Sequence, residues 1–131
     1  MYVNHELDTQ KKNPVKEIII PEAGYVLQPD HIYLGCTAER MGSEYFVPII
    51  RGKSSIGRLG LFVHITADLI DIGSINQCTL MMHAIQPLRI YPHMLIGQVT
   101  FWEAQGQINL YEGKYQGTIG PMESLAFQDF L

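Results

Sequence analysis

The chain has 131 residues, 47% of them hydrophobic and 17% charged, which is typical of a single domain with one core. Nine Lys and Arg residues against 13 Asp and Glu residues give a formal net charge of −4. This balance excludes a basic footprint for long nucleic acids but not a mononucleotide site. No apolar run approaches the roughly 18 residues that a membrane-spanning helix needs, so we expect no membrane partner.

The two cysteines, Cys36 and Cys78, are far apart in the sequence and form no C-x-x-C pair. Their spacing argues against a disulfide framework and against a structural zinc site. Residues 1–13 are too polar for a secretory signal. Reduced, buried thiols are typical of cytoplasmic proteins, and that is the compartment we predict.

Residues 1–17 are mostly polar and predict an arm or loop within the single domain 1–131. From residue 18 onward, short apolar stretches alternate with breaks that contain Gly or Pro, as strands and turns do. The predicted strands are residues 18–20, 25–27, 31–37, 45–50, 61–66, 78–84, 88–91 and 94–102. Almost no segment has the period of about 3.6 residues of an amphipathic helix. We therefore predict an all-β barrel or sandwich.

The loop before the 61–66 strand combines glycines, cations and hydroxyl groups. Its glycines favour positive φ and close approach of a ligand to the backbone. Its cations, hydroxyls and backbone N–H groups would together form an anion cradle. The residues concerned are Gly52, Lys53, Ser54, Ser55, Gly57 and Arg58.

The strand after this loop alternates, with Leu61, Val63 and Ile65 on one face, as a half-buried strand does. His64 lies on the other face, where a packed, hydrogen-bonded histidine is favoured over a catalytic one. Asp71 follows on an apolar run that would hold its carboxylate in place. A phosphate cradle and a carboxylate at the two ends of one strand indicate a nucleotide site.

Two other nucleotide-related motifs are not matched by this sequence. The Gly52-Lys53-Ser54 triplet is similar to part of a P-loop, but the first P-loop glycine would fall at Val47, and no long helix is predicted to follow. The His-x-Glu and Pro-Cys-x-x-Cys signature of zinc deaminases is absent as well. Any deamination would therefore proceed without zinc at the reacting carbon.

The segment Gly-Lys-Ser-Ser-Ile-Gly-Arg-Leu-Gly-Leu at residues 52–61 resembles the Gly-Arg-Ser-Ser-Leu-Gly-Arg-Leu-Gly-Leu signature of dCTP deaminases, including the bifunctional deaminase–dUTPases. Further matches occur in family order at residues 33–39, 63–71, 87–92, 96–98, 113–117, 120–121 and 129–130. Together they cover about residue 24 to the end of the sequence. Several motifs in the right order are far more specific than any one of them.

The resemblance implies the distorted jelly roll of the dUTPase superfamily, in a homotrimer with active sites between subunits. It implies a small-molecule nucleotide partner, with Mg²⁺ carried on the nucleotide phosphates and a C-terminal lid over them. Asp71 would orient the water that attacks the α-phosphate of dUTP. The nucleotide-binding residues that it implies are Lys53, Ser54, Ser55, Arg58, Ala67, Tyr111, Lys114 and Gln116.

The chain departs from the family pattern where deamination needs a proton carrier. A glutamate in a Thr-Leu-Glu strand does this work in the family, and the aligned residue here is Met81. A thioether has no proton to transfer, so we expect no deamination of dCTP. His83, two residues further along the same face, stays open as a substitute proton carrier, but it would lie about 6–7 Å along the strand from the position of the glutamate. Asn76, Thr118 and His93 replace a glycine, a glutamine and a turn glycine, and the family's N-terminal Pro-x-Ser-Tyr-Asp-Leu-Arg-Leu-Gly segment is not found.

Three hypotheses remain open from the sequence. The first is an enzyme with pyrophosphatase chemistry through Asp71, and the second is a homologue that binds or senses a nucleotide without converting it. The third is a purely structural subunit. Structural interpretations also exist for single residues, because Met81 could simply fill the core and Lys114 could lie in a solvated loop. Loss of the proton carrier beside a preserved phosphate loop favours nucleotide binding over deamination.

Overall fold

The computed structural model describes residues 1–131 as an all-β protein with open sheets, which confirms the predicted fold class and is consistent with a jelly roll. The strands are β1 (Tyr25–Leu27), β2 (Tyr33–Met41), β3 (Phe46–Gly52), β4 (Leu61–Phe62), β5 (Asn76–Ala84), β6 (Leu88–Ile90) and β7 (Gly97–Glu103). One helical turn, α1 (Ser54–Gly57), and one 3₁₀ turn (Ala126–Phe130) complete the secondary structure. No helix is long and apolar enough to cross a membrane.

The central strand of the three-stranded sheet is β5, which pairs antiparallel with β2 on one side and with β4 on the other. Tyr33 lies opposite Met82, and Phe62 lies opposite His83. A register shift interrupts the β2–β5 pairing between Cys36 and Arg40. The other sheets are the antiparallel pairs β3–β7 and β1–β6.

The core collects side chains from all three sheets. On β5 every second residue from Leu80 to Ala84 is buried, because successive side chains of a strand point to opposite faces. The nine buried residues of the core are Leu27, Tyr33, Ile50, Leu61, Val63, Leu80, Met82, Ala84 and Ile90. The opposite face of β5, which carries Met81 and His83, therefore points away from this core.

Two predicted strands are wrong in part. Residues 18–20 join no sheet; Ile18 and Ile20 pack half-buried against the core, so their hydrophobicity serves packing rather than a backbone ladder. The 61–66 strand ends at Phe62, because the chain then leaves β5 to run beside β3, where Ile50 N donates to Asp68 O. Ile65 is consequently 46% exposed, although the alternation predicted that it shares a buried face.

The N-terminal arm folds back on itself and contacts the C-terminal segment. An isolated bridge joins Tyr2 to Val15, and the Tyr2 hydroxyl accepts a hydrogen bond from Ser124 N at 2.9 Å. Lys12 Nζ lies 3.2 Å from a carboxylate oxygen of Glu123. Residues 1–17 therefore lie against the C-terminal segment and join no named sheet.

We predict that Leu27→Ala lowers the free energy of unfolding by about 2–5 kcal/mol, because it leaves a cavity at a side chain that is only 1% exposed. Urea denaturation measures this change. The matched control is Ile19→Ala, at a residue that is 83% exposed, where we expect a change within about 0.5 kcal/mol. Equal effects of the two substitutions would contradict this placement of the core.

Candidate functional site

The loop after β3 forms a single helical turn with free cationic and hydroxyl side chains. Lys53 N donates to Ile96 O at 2.9 Å, and Arg58 N donates to Ser54 O at 3.0 Å, so the backbone is tied at both ends. The side chains of Lys53, Ser54, Ser55 and Arg58 are exposed and make no hydrogen bond or salt bridge within the chain. The fixed backbone therefore carries unpaired cationic and hydroxyl donors on the outside of the molecule, which are the groups that an anion site uses.

The backbone conformation of the glycines in this loop differs from the prediction of positive φ. Neither Gly52 nor Gly57 has a positive φ, since α1 closes the loop with right-handed backbone; the left-handed position is Gly60, with φ of 83°. A Cβ atom added at Gly57 would meet nothing within 4 Å. The space beside Gly57 is therefore open to whatever approaches the loop.

A cavity of about 260 Å³ lies next to the loop, between the end of β3 and residues 61–68. Arg51 Nε lies 3.1 Å from Asp68 Oδ2 at its rim. His64 also lines it, with a buried Nδ1 that has no hydrogen-bond partner, so the prediction of a hydrogen-bonded histidine is wrong at this atom. Burial lowers the pKa of His64 below its usual value, and the nearby Asp68 opposes this only in part. Ala67 is exposed beside this cavity.

Asp71 begins a tight turn whose backbone is held on both sides. Ile70 N donates to Pro48 O at 2.9 Å, and Ser74 N donates to Asp71 O at 3.0 Å. Gly73 has φ of 91° at the third position of this turn, which type II turns reserve for glycine. The Asp71 carboxylate is exposed and makes no hydrogen bond or salt bridge. The carboxylate is therefore available to a ligand or a water.

The C-terminal segment brings Tyr111 and Gln116 onto this turn. Tyr111 N donates to Ile72 O at 2.8 Å, and Gln116 Nε2 donates to Gly73 O at 2.7 Å. The Gln116 side-chain oxygen accepts a hydrogen bond from Ile75 N at 3.3 Å. These contacts unite three of the predicted site residues, Asp71, Tyr111 and Gln116, in one place.

Lys114 is engaged within the chain. Its Nζ lies 2.6 Å from Asp129 Oδ1, just before the chain ends. Tyr115 anchors the same region, because its hydroxyl accepts a hydrogen bond from Leu125 N at 2.8 Å. Any phosphate that binds Lys114 must therefore compete with the Asp129 carboxylate. No local pattern in the sequence indicates this pairing of two charged side chains.

Polar side chains on the first half of β5 hold the C-terminal segment along the strand. Asn76, Gln77 and Thr79 accept hydrogen bonds from alternate backbone N–H groups of that segment, at 2.8–3.1 Å; the donors are Thr118, Gly120 and Met122. Asn76 is only 8% exposed, and its Nδ2 donates to Ser74 Oγ at 2.7 Å. The asparagine that replaces a family glycine therefore ties the turn to the C-terminal segment.

Met81 and His83 lie further along β5 on the face turned away from the core, as predicted from their spacing. Met81 is half-buried opposite Leu34. It therefore does not fill the core, which was the structural interpretation of this residue. His83 Nδ1 lies 3.4 Å from His31 O. No ionisable group stands at the Met81 position itself. His93 adopts φ of 57°, so the turn that has glycine in the family keeps its left-handed backbone here.

The phosphate loop and Asp71 do not meet within one chain. Ile70 lies beside Pro48 near the start of β3, whereas Lys53 follows the last residue of β3, and five strand residues span roughly 17 Å. The sheet around β5 also separates them, because Phe62 pairs with His83 near one end of β5 and the turn before Asn76 lies at the other, roughly 23 Å away. One phosphate cannot touch both halves of the site in a single chain.

No group of three or more His, Cys, Asp or Glu side chains is placed to hold a metal ion. A magnesium ion usually keeps several waters and binds one or two carboxylates together with substrate phosphates. The single exposed carboxylate of Asp71 fits that kind of site and not a cage built by the protein alone.

Comparison with known proteins places these features in a family. Residues 2–104 match the family model described as dCTP deaminase-like. The protein named "dCTP deaminase, dUMP-forming" from Hathewaya histolytica is 46% identical over 131 residues, which cover 99% of this chain and 76% of that protein. Proteins of the same name from Clostridium beijerinckii and Cytophaga hutchinsonii are each 43% identical, with the same coverage.

We predict that the free energy of unfolding decreases as the pH falls below about 6.5, the usual pKa of histidine, partly through His64. Burial lowers the pKa of His64 in the folded chain, so the unfolded state takes up a proton at a higher pH than the folded state. Protonation therefore stabilises the unfolded state and lowers the free energy of unfolding. Above about pH 6.5 both states are unprotonated and this contribution does not change with pH. Urea denaturation at pH 7.5 and 5.5 measures the slope. His64→Asn should flatten it and His5→Asn, at an exposed residue of the arm, should not; an unchanged slope in His64→Asn contradicts the assignment.

Proposed function

The chain belongs to the dCTP deaminase-like family, and from that premise we propose that it binds a pyrimidine deoxynucleoside triphosphate and cleaves dUTP to dUMP and pyrophosphate without deaminating dCTP. The observation that best supports this proposal is the exposed Asp71 carboxylate, which lies on a turn that backbone hydrogen bonds fix on both sides. A water held by this carboxylate would have a defined position. The role in nucleotide metabolism follows from the family.

The names of the relatives state that they convert dCTP into dUMP. That conversion consumes two waters and releases ammonia from the base and pyrophosphate from the phosphates. The first release needs a group that carries a proton to and from the base, and the Met81 thioether cannot do this. The second needs only an oriented water and positive charge around the phosphates. The residues of this chain support the second step alone.

In the proposed step, Asp71 accepts a proton from water while the water oxygen forms a bond to the α-phosphorus. The bond between the α-phosphorus and the oxygen that bridges to the β-phosphate breaks, and pyrophosphate leaves with that oxygen. Lys53 and Arg58 neutralise charge on the phosphates, and the Ser54 and Ser55 hydroxyls donate to phosphate oxygens. Magnesium carried by the phosphates would add further positive charge.

We propose that the site is shared between neighbouring subunits of a homotrimer. The two halves lie toward opposite ends of β3, with roughly 17 Å of strand between Pro48, beside Ile70, and Lys53. This supports sharing, because a second chain can bring its own phosphate loop to the Asp71 turn. The small number of buried residues also supports association. Only 14 of 131 residues are buried in the isolated chain, and large apolar side chains such as Phe62 and Trp102 are exposed.

The C-terminal segment is proposed to act as a lid over the phosphates. Its attachment to β5 and to the turn of Asp71 places Lys114 near the carboxylate half of the site. Lys114 would exchange its contact with Asp129 for a phosphate when the nucleotide binds. The prediction of buried thiols is wrong for Cys36, which is exposed, while Cys78 is half-buried. We keep the cytoplasm as the proposed compartment because neither thiol forms a disulfide within the chain.

We predict that Arg58→Ala weakens the binding of dUTP by about tenfold or more, because a charge-assisted hydrogen bond to phosphate is worth roughly 1.5–3 kcal/mol. Ser54→Ala should weaken it in the same direction. Calorimetry with a non-hydrolysable dUTP analogue measures the affinity. The matched control is Arg89→Ala, since Arg89 lies on β6 and donates to Ala23 O. Unchanged affinity in Arg58→Ala would remove the loop from the site.

We predict that Asp71→Asn lowers dUTP hydrolysis by roughly 10²–10⁴-fold, as loss of a general base usually does. Chromatography of the products formed from dUTP and dCTP measures the rates. When the Asp71→Asn and Arg58→Ala proteins are mixed and exchange subunits, about a quarter of shared sites regain both residues, so activity should return. Exchange without recovery contradicts a shared site. Tight dUTP binding by the wild type without any product would establish a non-catalytic binding protein instead.

We predict that the wild type releases no ammonia from dCTP and that Met81→Glu restores a small rate, because it supplies the missing proton carrier. Asn76 and Thr118 also differ from the family pattern and limit the gain. Met81→Gln is the matched control, since it has a similar length but carries no titrating proton. The glutamate should also cost some stability, as Met81 is half-buried. Deamination by the wild type would overturn this prediction and direct the next substitution to His83.

A further inference from the structure

The hydrogen bonds that hold the C-terminal segment form a regular series that continues beyond β5. Every second N–H of residues 118–124 donates to a side-chain oxygen, which fits an extended chain with its period of two residues. The first three acceptors are the polar side chains of β5. The fourth is the Tyr2 hydroxyl of the N-terminal arm, residues 1–17, which accepts from Ser124 N at 2.9 Å. The arm therefore extends the set of acceptors that β5 begins.

Strand β5 itself has no strong acceptor at this fourth position. Thr79 is the third acceptor, and the next residue on the same face of β5 is Met81. A thioether sulfur is only a weak hydrogen-bond acceptor. The phenol of Tyr2 supplies the oxygen instead, although Tyr2 is 122 residues away from Ser124 in the sequence.

The contact residues of the arm, Tyr2 and Lys12, belong to a loop that is closed by its own hydrogen bonds. An isolated bridge joins Tyr2 to Val15. Asp8 N donates to Asn13 Oδ1 at 3.0 Å, and Asn13 Nδ2 donates to Asp8 O at 2.9 Å. Both contact residues are therefore held in place before they meet the C-terminal segment.

The second contact of the arm is ionic. Lys12 Nζ lies 3.2 Å from Glu123 Oε1, and the Glu123 side chain is half-buried. A hydrogen bond from its own backbone N–H and then the Lys12 ammonium lower the pKa of the Glu123 carboxyl, so it is charged at neutral pH. Because ion pairs near the surface are individually weak, this pair adds to the bond made by Tyr2 and does not replace it.

The residue after Ser124 connects the arm to Lys114. Leu125 N donates to the Tyr115 hydroxyl at 2.8 Å, so Tyr2 and Tyr115 hold adjacent N–H groups of one backbone. Lys114 directly precedes Tyr115 in the chain. Two hydrogen bonds therefore link the arm to the neighbour of the lysine that is proposed to contact phosphate.

We propose that the N-terminal arm is a latch, formed by Tyr2 and Lys12, that holds the C-terminal segment along β5 and thereby positions Lys114. Both are positioning residues, because each contacts the segment and acts on Lys114 only through it. Segments held by few, exposed contacts open at a low cost in free energy, so two added contacts at its edge change how often the segment opens. The role of Lys114 in phosphate binding rests on the proposed function, whereas the latch can be measured without any nucleotide.

Amide hydrogen exchange of the 131-residue protein, without nucleotide, tests the latch directly. Tyr2→Phe removes the acceptor oxygen and keeps the ring. We expect exchange about threefold to tenfold faster at residues 122–125 and at Tyr115, because a hydrogen bond contributes about that factor to the closed state. Residues 80–82 of β5 should exchange as in the wild type. The matched control is Tyr45→Phe, which removes an exposed hydroxyl without a partner in the chain and should change neither rate.

The ion pair has a control within the arm itself. Lys12→Ala should accelerate exchange at residues 122–125 about twofold to fivefold, and by less at high salt, since salt screens exposed charges. Lys11→Ala should not, because Lys11 pairs with Asp8 inside the arm at 2.8 Å. The charge exchange Lys12→Glu with Glu123→Lys should restore the wild-type rates. Packing of the arm against the segment would not by itself produce this rescue.

Calorimetry with a non-hydrolysable dUTP analogue measures the coupling to Lys114. Tyr2→Phe should weaken binding about threefold or more, and it should have no further effect in a Lys114→Ala background. Additive losses from the two substitutions would contradict the positioning of Lys114. Unchanged exchange at residues 122–125 in both Tyr2→Phe and Lys12→Ala would overturn the latch, with or without nucleotide binding. A wild type that does not bind the analogue would instead contradict the proposed function, and faster exchange in the two variants would still support the latch.

Discussion

The two-sided character of β5 governs the structure. Its inward residues from Leu80 to Ala84 form the centre of the core, and its outward and terminal polar side chains, such as Thr79 and Asn76, hold the C-terminal segment by hydrogen bonds to the backbone. Because strand side chains alternate, one strand can stabilise the domain and position the candidate site together. A change of register by a single residue would exchange the two roles and lose both.

The same sheet separates the parts of the candidate site. The α1 loop precedes β4, at one end of β5, whereas the turn of Asp71 lies at the other end with Tyr111 and Gln116. The proposed hydrolysis uses both halves, so under that proposal catalysis would depend on the association of chains.

The residues that depart from the family pattern differ in what they contact. Asn76 and Thr118 join the Asp71 turn to the C-terminal segment by a hydrogen bond of 3.0 Å, which stabilises the half of the site that carries the carboxylate. Met81 places a half-buried thioether on the outward face of β5, where no proton transfer is possible. The hydrogen bonds around the Asp71 turn thus hold the C-terminal segment, while the residue predicted to stand in place of the family's glutamate has no ionisable group.

The sequence by itself determined the all-β class and the inward alternation of β5, because strand period and turn residues are local properties. Its motifs also predicted site roles for Asp71 and for the residues from Lys53 to Arg58, and these roles stay predictions. Only the tertiary structure decided that β4 ends at Phe62 and that Lys114 pairs with Asp129. It also decided that Asp71 and Lys53 lie toward opposite ends of β3, with roughly 17 Å of strand between Pro48 and Lys53. Those facts depend on which distant segments pair with the same strand edge or with the same charged side chain. A local pattern of residues contains no information about such long-range pairing.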